Sequence, residues 1–112
     1  MPDLKLDISA EGSQVVVAVG GEVDMATAPQ LADCLRDHTG KDVTLDFAAV
    51  TFLDSRGIAT LAEGYKNLQA SGGSLRLVGE RDNVRKILEV VGLDRVLHGE
   101  ADHLNPPEAQ QQ

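Results

Sequence analysis

The chain has 112 residues and a formal net charge of −8, from 10 basic and 18 acidic side chains. This length suits one domain with a modest core, and the acidic excess disfavours binding to nucleic acid or anionic lipid. Aromatic residues make up 3% and Trp is absent, so the aromatic platforms that stack on bases or sugars are not expected.

The cysteine content and the N-terminal sequence indicate a reducing compartment. Cys34 is the only cysteine, which excludes an internal disulfide and any Cys-x-x-Cys redox or zinc pair. Residues 1–7 lack the pattern of a signal peptide, and the apolar run at 15–19 is too short to cross a membrane. We therefore expect a cytoplasmic protein with no membrane association.

The chain begins with a predicted β-hairpin. Apolar and polar residues alternate over 4–9, which is typical of a half-buried strand, and Glu11-Gly12 supplies a turn. Residues 13–20 predict the second strand. Its run 15–19 is apolar on both faces, which indicates an interior strand.

A helix follows this hairpin. Gly20-Gly21 is expected to end the second strand, and Thr27 with Gln30 three residues later predicts a capping box. The apolar stripe of the helix includes Cys34, whose thiol we expect to be buried. Gly40 ends the helix.

The second half of the chain alternates strands and helices. Strands are predicted at 43–47 and 75–78. Between them lies a helix with Ile58, Leu61, Ala62, Tyr65 and Leu68 on one side. Gly64 in its middle costs about 1 kcal/mol relative to Ala, so we expect close packing there.

The last predicted elements are a third helix and a possible final strand. Asp82 is expected to cap the helix, whose stripe runs to Val91 before Gly92 ends it. Residues 95–98 predict a short strand. The order β-β-α-β-α-β-α indicates an α/β domain at 1–100, with one mixed sheet of four or five strands and helices packed on it. The tail 101–112 has no core-forming pattern and is expected to be flexible.

Motifs for catalysis and cofactor binding are missing. The sequence has no glycine-rich phosphate loop and no helical His pair or cysteine cluster that predicts a metal site. Ser55 lacks the Gly-x-Ser-x-Gly elbow, and no histidine has a spacing to it that indicates a general base. We expect no enzymatic activity, no cofactor and no metal.

Ser55 is nevertheless the most informative residue. The apolar run that ends at Asp54 is followed at once by a helical pattern, so Ser55 lies at or beside a helix N-terminus and is expected at the surface. An exposed hydroxyl at the positive end of a helix suits a phosphate acceptor. Asp54 and, where the strand ends are neighbours, Asp24 would repel that phosphate. On position alone, a simple helix cap is the favoured explanation of Ser55.

Four motifs in this order resemble the STAS domain family and, within it, the small stand-alone anti-sigma factor antagonists of bacteria. They are Gly21-Glu-Val-Asp24, Val50-Thr-Phe-Leu-Asp-Ser-Arg-Gly-Ile58, Gly72-Gly73 before a strand, and Val84-Arg-Lys-Ile-Leu88 leading to Val91-Gly-Leu93. The resemblance covers Leu4 to His98.

The resemblance implies a binding switch. In that family the serine after the motif aspartate is phosphorylated by an anti-sigma factor, a serine kinase of the histidine-kinase-like ATPase fold. The unphosphorylated antagonist binds the kinase and releases a sigma factor, and a serine phosphatase restores this form. Carried over, Ser55 is the acceptor, Asp24 and Asp54 flank it and contact the partner, and Gly57 permits a tight start of the helix.

Arg56 departs from the family pattern, because better-known members often carry Ser or Thr there. It could screen the phosphate, contact the kinase, or be an exposed arginine without a special role. The main alternative function is a STAS scaffold that is not phosphorylated, in a transporter or signalling complex. A receiver domain phosphorylated on Asp54 fits less well, because Asp7 and Asp24 are poorly placed and residues 74–80 contain no lysine.

Overall fold

The computed structural model describes residues 4–99. In this range one sheet has the strand order β1-β2-β3-β4, with β1 at Lys5–Glu11, β2 at Gln14–Val23, β3 at Asp42–Leu53 and β4 at Ser74–Val78. The helices are α1 at Ala28–Arg36, α2 at Ser55–Ala70, α3 at Asp82–Val91 and α4 at Asp94–Leu97. β1 and β2 are antiparallel, and the other pairs are parallel. The predicted α/β architecture is confirmed.

The hydrophobic core lies between one face of this sheet and the helices. Alternate strand residues such as Val17, Leu45 and Leu77 are buried there, against apolar side chains from all four helices. Val16 and Val78 point to the other face and are exposed. β2 is an interior strand, as predicted. Only every second residue of its apolar run is buried, because the helices cover one face.

β2 does not end at the glycine pair. It continues through Gly20 and Gly21 to Val23, and the register with β3 shifts twice in this stretch. Gly21 has a φ of 111°, a value that side-chain-bearing residues rarely adopt. The glycines therefore accommodate irregularities within the strand rather than terminating it.

The predicted capping box at α1 is wrong. Thr27 is the N-cap residue, but its side chain makes no capping hydrogen bond. Its hydroxyl instead donates to the carbonyl oxygen of Glu22 at 2.6 Å and accepts from the N–H of Asp24 at 3.0 Å. The Gln30 amide bonds to both backbone groups of Leu4. Because these side chains bond to Leu4 before β1 and to the end of β2, they do not cap α1.

The C-terminal part of the fold differs from the prediction at two points. Asp82 is the first residue of α3 and not its cap. Residues 95–98 are not a strand, because Asp94–Leu97 forms the single turn α4 and Leu97 is buried in the core. Leu93 and Leu97 are four residues apart and so share one side of a helix. The predicted tail 101–112 lies outside the described residues.

β3 extends beyond the end of β4. Its pairing with β4 stops at Asp46, so the following carbonyl groups on that side have no neighbouring strand. The side chain of Arg81 donates to the carbonyl oxygen of Ala48, and that of Asn83 donates to the carbonyl oxygen of Thr51, both at 3.1 Å. The start of α3 therefore covers this part of the sheet edge.

Two predictions, one about packing in α1 and one about packing in α2, are confirmed. Cys34 is buried, and this burial, with a smaller effect from the Asp37 carboxylate, raises the pKa of its thiol. Gly64 lies in tight contact with α1, since a Cβ atom there would be 2.5 Å from Cδ1 of Leu35. The glycine thus allows the two helices to approach closely at this level.

Candidate functional site

The carboxyl ends of β2 and β3 lie side by side. Val23 pairs with Leu53 in the parallel register, and Asp24 and Asp54 come next along each strand. The N–H of Asp54 donates to the carbonyl oxygen of Val23 at 3.1 Å. The ends of β2 and β3 are therefore neighbours, which is the condition for Asp24 to lie near Asp54.

Asp54 is the N-cap of α2. Its Oδ1 atom accepts hydrogen bonds from the N–H groups of Arg56 at 2.9 Å and Gly57 at 3.0 Å, two of the donors that a helix start leaves without partners. Ser55 is the first residue of the helix and not its cap. Its side chain is exposed and makes no hydrogen bond within residues 4–99. The hydroxyl is therefore free for chemistry by a partner.

Asp24 organises the other strand end. Its Oδ1 atom accepts from the N–H groups of Ala26 at 3.0 Å and Thr27 at 3.1 Å. Thr27 is buried and bonds back to the end of β2. Both aspartates thus use one carboxylate oxygen to hold a turn, and the two carboxylates lie at the neighbouring ends of β2 and β3.

Gly57 is required by the geometry of the α2 start. A Cβ atom at this position would lie 2.5 Å from Cδ1 of Leu53, 2.8 Å from the carbonyl oxygen of Val23 and 2.9 Å from Cγ1 of Val23. Only a residue without a side chain fits this separation. The glycine lets the first turn of α2 lie directly on the two strand ends, so it fixes where Ser55 is presented.

Arg56 follows Ser55 in the first turn of α2 and is exposed. Its side chain makes no hydrogen bond or ion pair in the part of the chain that the structure describes. It lines a surface groove together with Met25, whose side chain is 71% exposed. Met25 was not singled out from the sequence. Its exposure depends on the turn that Asp24 holds, and no sequence pattern signals it directly.

In the described part of the chain, neither a metal-binding cluster nor a histidine accompanies Ser55. Within residues 4–99 no three His, Cys, Asp or Glu side chains are grouped closely enough to hold a metal ion. His38 bonds to the carbonyl oxygen of Cys34, and His98 bonds to the buried carboxylate of Glu80. Both imidazoles are engaged away from Ser55. None of the helices in this range has the length and apolar character needed to span a membrane.

Comparison with known families adds to this geometry. Residues 6–99 match the model of the STAS_2 family, described as "Mlab, STAS domain". The chain belongs to the STAS domain family. The match begins within β1 and continues through the other strands and the four helices, so the resemblance seen in the four sequence motifs is confirmed.

Among similar proteins, this STAS domain is 26% identical over 99 residues to the anti-sigma-B factor antagonist of Staphylococcus aureus, covering 86% of this chain and 92% of that protein. It matches the crystal structure of an anti-sigma factor antagonist from Mycobacterium paratuberculosis with a TM-score of 0.71 and 29% identity, over 82% of this chain and 80% of that one.

The same fold is found in the Bacillus cell fate determinant SpoIIAA in its phosphorylated form. The TM-score is 0.65 and the identity 20%, over 83% of this chain and 86% of that one. At this identity the likeness concerns the fold alone. The Staphylococcus aureus and Mycobacterium paratuberculosis proteins are both named as anti-sigma factor antagonists.

Proposed function

We propose that this chain is an anti-sigma factor antagonist whose binding is switched off by phosphorylation of Ser55. The observation that carries the proposal is the free, exposed hydroxyl at the first residue of α2, where the neighbouring Asp54 already supplies the cap. The unphosphorylated form would bind an anti-sigma factor and thereby release a sigma factor. The likeness to antagonists from other bacteria supports this assignment.

The local charges support a switch at the surface rather than in the fold. A phosphate on Ser55 adds about −1.5 to −2 charges at neutral pH. The nearest N–H donors of the helix are already bonded to Asp54, and Asp24 and Asp54 both carry negative charge. The new group would therefore remain in solvent and change the potential that a partner meets, while the core under α2 stays packed.

The roles of the surrounding residues follow from their positions. Asp54 and Asp24 hold the two turns that present Ser55, and Gly57 sets the helix against the strand ends. The partner would be a serine kinase of the histidine-kinase-like ATPase fold, and a serine phosphatase would reverse the modification. We place the protein in the cytoplasm, without direct contact with nucleic acid or membrane. We propose no catalytic role, because both described histidines are bonded elsewhere.

Phosphorylation assays test the proposed function. Each serine kinase of this fold encoded in the same genome would be purified and incubated with the chain and ATP, followed by intact mass and phosphosite mapping. One kinase should add a single phosphate, and Ser55→Ala should abolish it. Ser9→Ala, an exposed serine on β1, is the matched control and should have no effect.

The same assay distinguishes the proposed switch from the main alternative. A STAS scaffold that is not regulated by phosphorylation would be modified by none of these kinases. Phosphate that persists on the Ser55→Ala variant would place the acceptor at another residue. Either result would contradict the proposed switch, whereas the STAS fold would be unaffected by both.

A further inference from the structure

β1 forms an unpaired edge of the sheet. In the part of the chain that the structure describes, β2 is the only strand beside it. All residues of β1 except Leu6 are exposed. In an antiparallel pair, only alternate residues direct their N–H and C=O groups toward the neighbouring strand. The remaining groups of β1 therefore point away from β2 and are available to another strand.

The apolar layer of the core reaches this edge and is left open there. Leu6, Ile8 and Ala10 lie opposite buried valines of β2, and residues directly opposite each other share one face of the sheet. These three side chains are therefore on the face that the helices cover. Ile8 is nevertheless 49% exposed, and Ala10 is exposed as well. A further strand beside β1 would extend this apolar row and cover it.

The other face of β1 is polar, and its charges differ between the two ends of the strand. Lys5 begins the strand, Asp7 and Ser9 follow, and Glu11 ends it. All four residues are exposed. A strand with a basic start and an acidic end is complementary to an antiparallel copy of itself, because each end then meets the opposite charge.

One twofold register pairs the whole of β1 without opposing like charges. With the axis at Ile8, Lys5 of each copy faces Glu11 of the other. Asp7 then faces Ser9, and the two Ile8 side chains face each other on the apolar side. An axis at Asp7 would oppose two Asp7 carboxylates, and an axis at Ser9 would oppose Asp7 and Glu11, which is unfavourable in both cases. An axis nearer either end would pair only about three residues of each strand.

We propose that β1 pairs antiparallel with β1 of a second copy of this chain, about a twofold axis at Ile8. The two sheets become one continuous sheet, with the helices of both copies on the same side. The pair uses the same edge on both copies, so assembly stops at a dimer. Because Ser55 follows β3, which β2 separates from β1, this inference does not depend on the proposed function.

The dimer is expected to be weak. Two strands of seven residues bury less surface than the roughly 1,600 Å² of a standard interface. β1 also contains no aromatic residue, the type of side chain that most often anchors an interface. The net charge of −8 on each copy opposes association further. We therefore expect a Kd between about 10 µM and 1 mM.

Sedimentation equilibrium of the full chain tests the dimer. Between about 10 µM and 2 mM, the mean mass should rise from that of the monomer toward twice that value. Ile8→Lys places two ammonium groups at the axis and should weaken dimerisation about tenfold or more. The matched control is Val16→Lys. Val16 is 45% exposed but lies on β2, so this variant should dimerise as the unmodified chain does.

Charge reversal tests the register. Lys5→Glu alone and Glu11→Lys alone should each weaken dimerisation about tenfold, because like charges then face each other in two places. The double variant restores opposite charges at both places and should return to within about threefold of the original Kd. Lys66→Glu makes the same change in net charge at an exposed position on α2 and should have no effect.

Circular dichroism of dilute samples would verify that each variant is folded. A chain that stays monomeric at about 2 mM would overturn the proposal. Single reversals that dimerise as well as Lys66→Glu, or a double variant as weak as the single ones, would overturn the pairing of β1 about Ile8. Phosphorylation of Ser55 is measured separately, so these results would leave the proposed function as it stands.

Discussion

At the scale of single residues, one side chain caps α2 and its neighbour carries the exposed hydroxyl. Asp54 satisfies the first N–H groups of α2, and Ser55 beside it keeps an unbonded hydroxyl. If Ser55 were the cap, its oxygen would accept from the helix backbone and modification would break that bond. The division allows a phosphate to be added without loss of the helix start.

Gly57→Ala should destabilise the protein by about 1–3 kcal/mol, as expected for overpacking. The added methyl group would meet the carbonyl oxygen of Val23 and Cδ1 of Leu53 at under 3 Å, and the backbone oxygen cannot turn away. Urea denaturation would measure the change in the free energy of unfolding.

Gly64→Ala is the matched comparison for this variant. The closest atom there is Cδ1 of Leu35, which belongs to a flexible side chain, and Ala gains about 1 kcal/mol of helix propensity over Gly. We expect a clearly smaller loss than at Gly57. Equal losses at the two positions would mean that the strand ends do not constrain the start of α2.

The sequence was sufficient to place Asp54, Ser55 and Gly57 at the start of α2, because a short motif at a strand-to-helix junction carries all three. It was insufficient for Met25 and Thr27. The exposure of Met25 depends on a turn whose hydrogen bonds involve Asp24 and cannot be assigned from spacing alone. Thr27 fits a capping box by spacing, but its hydroxyl donates to the carbonyl oxygen of Glu22 at the end of β2, a local contact that the spacing pattern does not reveal.

At the scale of elements, α4 contributes to the core despite its single turn. Leu97 is fully buried and packs with the residues of the sheet and of α3. Leu97→Ala should therefore cost about 2–5 kcal/mol in the free energy of unfolding. Val90→Ala is the control, since Val90 is 86% exposed, and it should change stability by less than about 0.5 kcal/mol. A neutral Leu97→Ala would contradict this role of α4.

The sequence predicted the strands and the three longer helices because their apolar residues repeat over many positions. The two errors at this scale are short or irregular stretches. Residues 95–98 are too few for a period of two to be distinguished from a helical turn. The Gly20-Gly21 pair was interpreted as a strand end, although in β2 the glycines allow the register to shift while pairing continues.

At the scale of the whole molecule, the fold should be nearly insensitive to the proposed phosphorylation of Ser55. Phosphorylated and unmodified protein should differ by less than about 1 kcal/mol in the free energy of unfolding, because Ser55 is exposed and repulsion between solvated charges is weak. Parallel urea titrations of the two purified forms would measure this. A loss above about 2 kcal/mol would indicate that the phosphate disrupts the start of α2.

The coverage of β3 by the start of α3 bears on how the molecule behaves at high concentration. A parallel strand that outruns its neighbour presents free carbonyl groups, and such an edge is a template for strands of other molecules. Here the side chains of Arg81 and Asn83 already donate to the carbonyl oxygens of Ala48 and Thr51. A strand from another molecule would have to break both hydrogen bonds before it could pair with this part of β3. The two bonds therefore oppose amyloid-like assembly at this edge.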